Sequence, residues 1–405
     1  MPGQAGHDDP LVILSEAKNP MKNEFKTCLT ENILPYWLKL RDPSGGFYGE
    51  VSADGEVLKD APRGVILNAR IIWAFAAAYR ALGNREYLDA ALWAAGWFLE
   101  HFCDHKYGGV YWSVSADGKR LEDKKQLYAQ GFAIYGLSEL YKVTRDDEVL
   151  KNAVNLFQVV ETHFADRENG GYMEALSRDF SPLEDMSLSA HDINADKTMN
   201  SHLHILEAYA NLYQVWPDEG LKAAVERLLD IIGHKVMAPD GHLQLYFRRD
   251  WSVMPGGVSY GHDIETSWLA LECAFALKDL DVVNKVRPWA LRMGKAGNEG
   301  LMADGSLRYE KLLDGSYDDS RQWWVQAETV VGNLWLWKYH SDEGGADRAV
   351  RAWEYIREHL VDGKDGEWWW AVLPDGSLDK AQPKAGFWKC PYHNTRMCLQ
   401  VLSLF

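Results

Sequence analysis

The sequence predicts an all-α fold, an (α/α)6 barrel: a closed toroid of six helical hairpins with short β-hairpins in the connecting loops. The first observation behind this is a duplication, GGFYGEVSADG at 45–55 and GGVYWSVSADG at 108–118. Weaker copies follow as GGYMEALSRDF (170–180), DGHLQLYFRRD (240–250), GSLRYEKLLDG (305–315) and GEWWWAVLPDG (366–376). Alternating apolar and polar residues closed by a glycine turn read as short strands or hairpins. The second observation is the pair of amphipathic segments between successive copies, with apolar residues three and four apart. The third is one helix left over at each end. A unit longer than the roughly 20–50 residues of open solenoids, with ends that mate, closes into a ring.

Residues 1–21 are expected to be a disordered N-terminal extension, and 22–405 a single catalytic domain. The first helix is NEFKTCLTENILPYWLKL (23–40). RGVILNARIIWAFAAAYRAL and REYLDAALWAAGWFLEHF form the first complete pair, with Gly-Asn at the break. The same reading fits 125–164, 196–237, 262–297 and 321–360, and 387–405 pairs back onto the first helix. First helices of each pair (IIWAFAAAY, FAIYGLSELY, HILEAYANLY, SWLALECAFAL, VVGNLWLW) are apolar almost all round and belong inside. Second helices carry one charged face and form the outer ring.

With 59 acidic and 43 basic side chains, the net charge of −16 opposes nucleic acid and anionic lipid as partners. Cys28, Cys103, Cys273, Cys390 and Cys398 are odd in number and lack a CxxC pair, which argues against a disulfide framework or zinc ribbon and for a reducing, cytoplasmic setting. Apolar runs are broken by polar residues before the roughly 20 needed to cross a bilayer, so no membrane association is expected. Residues 1–20 lack a secretory apolar stretch.

Polar groups gather near the starts of the inner helices, in NAR, YAQ, MNSHLH, GHDIE, WWVQAE and KCPYHNTR. An unpaired buried polar group costs about 1–3 kcal/mol. Six clusters at equivalent points therefore predict a polar pocket at one end of the barrel. His101, His163, His234 and His359 recur near outer-helix ends, where the helix dipole favours a partial positive charge. His7, His105, His191, His242 and His340 fall in the tail, loops or a helix end, and most of them are expected at the surface. His202, His204, His262 and His393 remain. On a helix, side chains two apart point about 200° from each other, so the HLH at 202–204 does not form a metal pair. His204 shares a face with Asn200 and is assigned to the cavity, and His202 to packing. His262 and Glu265, three apart, are spaced so that the carboxylate can set the ring's tautomer. Trp323, Trp324, Trp388, Trp268 and Tyr128 lie near the same rim, where flat aromatic faces suit the C–H faces of sugars.

No GxGxxG follows a strand and no GxxxxGK[ST] occurs, so a nucleotide or nicotinamide site is not indicated. Without a hydride carrier, a stereocentre is inverted only where a neighbouring carbonyl acidifies the proton. In a reducing sugar that carbon is C2 of the open-chain form. Imidazole, with an ordinary pKa of about 6.5, is suited to both removing and returning that proton. Arg70 is the candidate cation for the enediolate.

NAR at 68–70, MNSHLHILEAY at 199–209, GHDIETSWL at 261–269, WWVQAE at 323–328 and CPYHNTRMCL at 390–399 resemble the N-acylglucosamine 2-epimerase superfamily, most of all its cellobiose 2-epimerase branch. The resemblance extends over about 22–405. It implies His262 and His393 as the acid/base pair at C2, and His204 in ring opening. It further implies Arg70, Tyr128, Asn200, Glu265, Trp268, Trp324, Glu328 and Trp388 around a disaccharide such as cellobiose or lactose. No metal or organic cofactor is implied, and a monomer is expected. Mannobiose and mannose 2-epimerases or aldose–ketose isomerases are the alternatives within this class. A glycoside hydrolase using Glu265 and Glu328, or a non-catalytic sugar-binding module, stands outside it.

Overall fold

The computed structural model describes residues 18–189 and 192–405. Most of the expected N-terminal extension, with His7 and His191, lies outside those residues. Helix α1 (Lys18–Thr27) passes through a wider π turn (Cys28–Ile33) into α2 (Leu34–Leu38). Five helical pairs follow: α3 (Val65–Leu82) with α4 (Arg85–His101), α5 (Leu127–Thr144) with α6 (Asp147–Val159), and α7 (Met199–Tyr213) with α8 (Glu219–Ile231). The last two are α9 (Tyr260–Ala276) with α10 (Leu280–Gly297) and α11 (Trp323–His340) with α12 (Gly345–Tyr355). The chain ends in α13 (His393–Leu404), shorter than expected because 387–392 are not helical.

Helices α3, α5, α7, α9, α11 and α13 contact one another in that order, and α13 returns to α3 and α1, closing the ring. The outer helices α4, α6, α8 and α10 start with Asn84, Asp146, Asp218 and Asp279, whose side chains accept first-turn N–H groups. Among the described residues only α7 of the inner set has such a cap, Thr198. Helices α3, α5, α9 and α11 are entered from extended backbone without a side-chain cap, and α13 from Tyr392 in helical conformation. His163, His234 and His359 sit in π turns that end outer helices, and His101 closes α4.

The duplicated segment joins neighbouring repeats. Strand β1 (Arg63–Gly64), leading into α3, pairs antiparallel with β2 (Ser113–Val114) of the next hairpin. Across the following four junctions the partners are Lys125 and Leu176, Lys197 and Phe247, Val258 and Lys311, and Arg321 and Val372. Val51, which stands in its eleven-residue stretch where Val114 stands in the second copy, pairs with Ala385 and completes the circle. Buried ion pairs brace several junctions: Asp42 with Arg63, Asp104 with Lys125, Asp166 with Lys197, and Asp362 with Lys384.

One helix, Val65–Leu82, has the length and mean hydropathy (1.3) of a membrane span, contrary to the expectation that polar interruptions would prevent it. It is the inner helix α3, and its side chains are buried against the rest of the ring.

Lys197 Nζ lies 2.9 Å from Asp166 and also donates to the carbonyls of Gly170 (2.7 Å) and Arg249 (2.6 Å). Removing one partner of a buried pair strands the other charge, so Lys197→Ala is expected to destabilise the barrel by about 3–5 kcal/mol in urea unfolding.

Candidate active site

Two cavities open at opposite ends of the ring. The one at the C-terminal ends of the inner helices, about 410 Å³, is lined by charges that pair among themselves, as in Arg80–Glu139 (2.7 Å) and Lys142–Glu139 (2.9 Å). The other, about 350 Å³, lies at their N-terminal ends and collects three histidines.

The helical repeat explains how they arrive there. A polar residue in the first turn of an inner helix anchors the adjoining hairpin. Gln130 accepts the Val110 N–H (2.8 Å), His202 Nε2 that of Tyr172 (3.0 Å), Asp263 that of Leu243 (2.8 Å), and Gln326 that of Leu307 (2.8 Å). Asn68 and Asn394 stand at the corresponding places in α3 and α13. His202 is therefore structural: its Nδ1–H donates to the Thr198 carbonyl (2.7 Å), and burial pushes its pKa down to about 4. Gly171, at φ +75°, faces it, and a Cβ there would approach His202 Nε2 to 2.8 Å.

Two residues beyond each anchor, Arg70, Phe132, His204, Glu265, Glu328 and Arg396 form one level around the barrel axis. One residue before the anchor, His262 and His393 occupy the same place on α9 and α13, with α11 between them. Both rings lie against Trp324, at centroid distances of 4.7 and 5.6 Å.

His393 Nδ1 is 2.7 Å from Glu328 Oε1, and His204 Nδ1 is 3.0 Å from Glu207 Oε2. His262 Nδ1 meets the Ser259 hydroxyl at 2.8 Å. The expected contact between His262 and Glu265 does not form: His262 Nδ1 goes to Ser259, and Glu265 Oε1 accepts from Arg396 Nη2 at 2.5 Å. Burial, then the nearby His204, pushes the His262 pKa down to about 3. Burial followed by the charges of Arg396 and Arg70 holds His393 well below its ordinary value. Both rings are neutral near pH 7. Burial and then repulsion from Glu328 push Glu265 up to about 7, whereas Glu207, despite its burial, is held down to about 2 by Arg396 and His204.

Arg70, Tyr128, Asn200, His204, His262, Glu265, Trp324, Trp388 and His393 line this cavity together. Arg70 Nη2 donates to the Tyr128 hydroxyl (2.7 Å), and its guanidinium lies 4.1 Å over Phe132. Asn200 Oδ1 and Glu265 Oε2 have no hydrogen-bond partner among the described residues. Trp268 lies one helical turn beyond Glu265, and neither it nor Glu328 lines the cavity; Trp268 Nε1–H donates to Glu328 Oε2 at 3.0 Å. His242, expected at the surface, is instead paired through Nδ1 with the buried Asp263 (2.7 Å). Ligand atoms of Glu265, Glu328 and His393 fall within 4.8 Å of one another, but Arg396 Nη2 already donates to both carboxylates.

Sequence reasoning did not single out Ser259, Glu207, Tyr392 or Arg396. The signal for Arg396 was the six-fold register itself, since NTR stands where NAR, HLH, DIE and QAE stand in other repeats.

The profile of the N-acylglucosamine 2-epimerase (GlcNAc 2-epimerase) family matches residues 46–396. The chain is 47% identical to a cellobiose 2-epimerase of Bacteroides fragilis over 95% of its own length and 99% of that protein's. It is 37% identical to one from Ruminococcus albus, over 95% and 98% of the two chains. Among solved structures, the cellobiose 2-epimerase of Bacillus thermoamylovorans B4167 superposes with a TM-score of 0.91 at 40% identity, covering 95% and 99% of the chains.

Because residue 262 titrates near 6.5 when unfolded and near 3 when folded, the unfolded chain binds the extra proton between those values. Its stabilising effect is complete above the upper value and is lost as pH falls through the window. His262→Asn should therefore narrow the stability gap to wild type between pH 7 and pH 4.5, read by urea midpoints. A gap that stays constant would contradict a neutral, buried ring.

Proposed function

The chain belongs to the N-acylglucosamine 2-epimerase family, and on that premise we propose that it inverts C2 of the reducing-end glucose of a β-1,4-linked disaccharide, converting cellobiose to glucosyl-mannose and lactose to epilactose. The observation that carries this reading is the pair of equivalent histidines, His262 and His393, both against Trp324 in one cavity. A void of about 350 Å³ suits a ligand of disaccharide size.

His204 assists ring opening, moving a proton between the anomeric hydroxyl and the ring oxygen. The aldehyde then acidifies the C2 proton. With Nδ1–H donated to Glu328, His393 presents its Nε2 lone pair and takes that proton, and Glu328 stabilises the imidazolium formed. The electrons of the C–H bond become those of the enediolate, whose oxygen charge Arg70 offsets beside the Tyr128 hydroxyl. As the enediolate's negative charge develops beside it, His262 takes up a proton from solvent, and the imidazolium so formed returns its Nε2 proton to C2 from the opposite face and is left neutral. The Ser259 hydroxyl either donates to or accepts from its Nδ1 and so accommodates both states. The two imidazoles exchange roles in the reverse direction. Asn200, Glu265, Trp324 and Trp388 hold the sugar. Trp268 and Glu328 act from behind the cavity lining.

A hydrolase reading loses support from the same geometry. Glu265 and Glu328 both bind one nitrogen of Arg396, at 2.5 and 2.7 Å, and Glu328 does not line the cavity. They do not flank a scissile bond. Free thiols at all five cysteines support a reducing, cytoplasmic compartment, and we expect a monomer.

Incubation with cellobiose, lactose, mannobiose and mannose in D₂O, followed by NMR, tests the assignment. Deuterium should enter C2 of an intact disaccharide. Unlabelled monosaccharides would mean hydrolysis, and no conversion of any sugar would mean a binding module. His262→Ala and His393→Ala should each abolish incorporation, by at least about 10²-fold, with the thermal midpoint of a folded barrel retained. Near wild-type turnover in either variant would remove that ring from the acid/base role.

A further inference from the structure

Beneath the cavity floor, one buried side chain reaches the carboxylates behind two of the three histidines. Arg396 is 2% exposed. Its Nη1 donates to Glu207 Oε1 at 2.5 Å and its Nη2 to Glu265 Oε1 and Glu328 Oε1 at 2.5 and 2.7 Å. The guanidinium plane is held between Tyr392 and Trp268, 4.3 and 4.7 Å from the ring centroids. The Tyr392 hydroxyl donates to Glu207 at 2.6 Å. Glu207 in turn meets His204 Nδ1, and Glu328 meets His393 Nδ1 through the same Oε1 that Arg396 holds.

We propose that Arg396 is the positioning residue of the site: one guanidinium fork that holds Glu207 and Glu328 in place as acceptors and so keeps the Nδ1–H of His204 and of His393 on those carboxylates, with Nε2 facing the sugar. The proposal rests on the reading that these two imidazoles act on the substrate.

The reasoning is electrostatic. Three carboxylates in one desolvated layer repel one another, and a carboxylate that takes up a proton can no longer serve as acceptor to an imidazole N–H. A neighbouring cation opposes this: burial pushes the Glu328 pKa up, and the charge of Arg396 together with its hydrogen bond pulls it back down. The same cation acts in the opposite sense on the imidazoles, because a positive charge disfavours a second one close by. Glu328 alone would turn His393 into a stable imidazolium, useless as a base. Arg396 offsets that pull while leaving the hydrogen bond intact. The other groups facing His393 are Glu265 (3.9 Å from Nδ1), Arg70, His204 and His262, and the one carboxyl among them, Glu265, is pushed up to about 7 and so is only partly ionised near neutral pH. A lysine keeps the charge, but as a point donor it cannot span three carboxylates with a planar fork.

The test uses the full chain as Arg396→Gln and Arg396→Lys, with kcat, KM and the pH dependence of kcat/KM on cellobiose. It also uses 15N-histidine NMR of the sugar-free protein, in which the His393 and His204 signals are identified by their loss in the corresponding single variants. Arg396→Gln should lower kcat about 10²-fold, leave KM within a few fold, and move the acid limb of kcat/KM up by about one pH unit or more. Its His393 Nε2 signal should become protonated near pH 7, and Arg396→Lys should fall between it and wild type. A folded Arg396→Gln with an unmoved acid limb and an unchanged Nε2 signal would overturn the proposal, even if kcat dropped. Should neither variant fold, wild type alone decides, because either ring lacking a proton on Nδ1 at pH 7 also overturns it. Absence of label at C2 in wild type would instead sink the epimerase reading and leave the NMR result standing.

Discussion

Six helices converging on one axis leave space at each level for about one side chain from each, and that crowding governs everything else in the molecule. Where the side chains are apolar, the level is ordinary core. Where they are Arg70, Phe132, His204, Glu265, Glu328 and Arg396, the level must neutralise itself out of reach of solvent, since an unpaired buried charge costs several kcal/mol. Two carboxylates facing one guanidinium satisfy much of that demand, and Glu207 from the next turn of α7 completes the fork's contacts. The histidines then sit beside a layer whose charges are already spoken for. The neutrality of His262 and His393 follows first from burial, with Arg396 and Arg70 adding to it at His393, not from any special chemistry of the rings.

A closed ring has no covalent bond at its seam, so the seam must equal the other junctions. The strand register achieves this. The contact of Val51 with Ala385, 2.8 Å from amide to carbonyl, is the counterpart of the bridges that join each hairpin to the strand before the preceding inner helix. Lys384, next to Ala385, pairs with Asp362, as Arg63 pairs with Asp42 and Lys125 with Asp104. The last inner helix, α13, carries His393 and Arg396, and thus depends for its position on contacts made by the first hairpin. Fold closure and site assembly are one event at this seam.

Much of this was legible in the chain. The duplicated stretch, the helix pairs and the polar starts of the inner helices follow from local periodicity, and His204, His262 and His393 emerged by setting aside histidines that recur with the outer helices. Partner identities were not legible. Glu265 lies three residues from His262, a good local spacing, yet its carboxylate goes to Arg396, which is 131 positions away. Trp268 and Glu328 share motifs with cavity residues but do not line the void, because a helix rotates about 100° per residue and only some of a polar cluster faces it. His242 looked like a loop residue. In this repeat the anchor position holds Asp263, an acid where others have amides or His202, and an acid in that place recruits a cation.

The two ends of the ring are alike in size and opposite in consequence. Every inner helix directs its N-terminus toward the histidine cavity and its C-terminus toward the other. Peptide dipoles thus add a positive potential at one mouth and a negative one at the other. At the C-terminal mouth the cations Arg80 and Lys142 answer that field and are locked to Glu139. At the N-terminal mouth, helices such as α3, α5, α9 and α11 lack side-chain caps, so no capping oxygen offsets the dipole. A positive field there disfavours imidazolium and favours an anion forming on a bound sugar. Both are what proton abstraction next to an aldehyde requires. The end of the barrel that carries the chemistry is therefore set by helix direction before any individual side chain is considered.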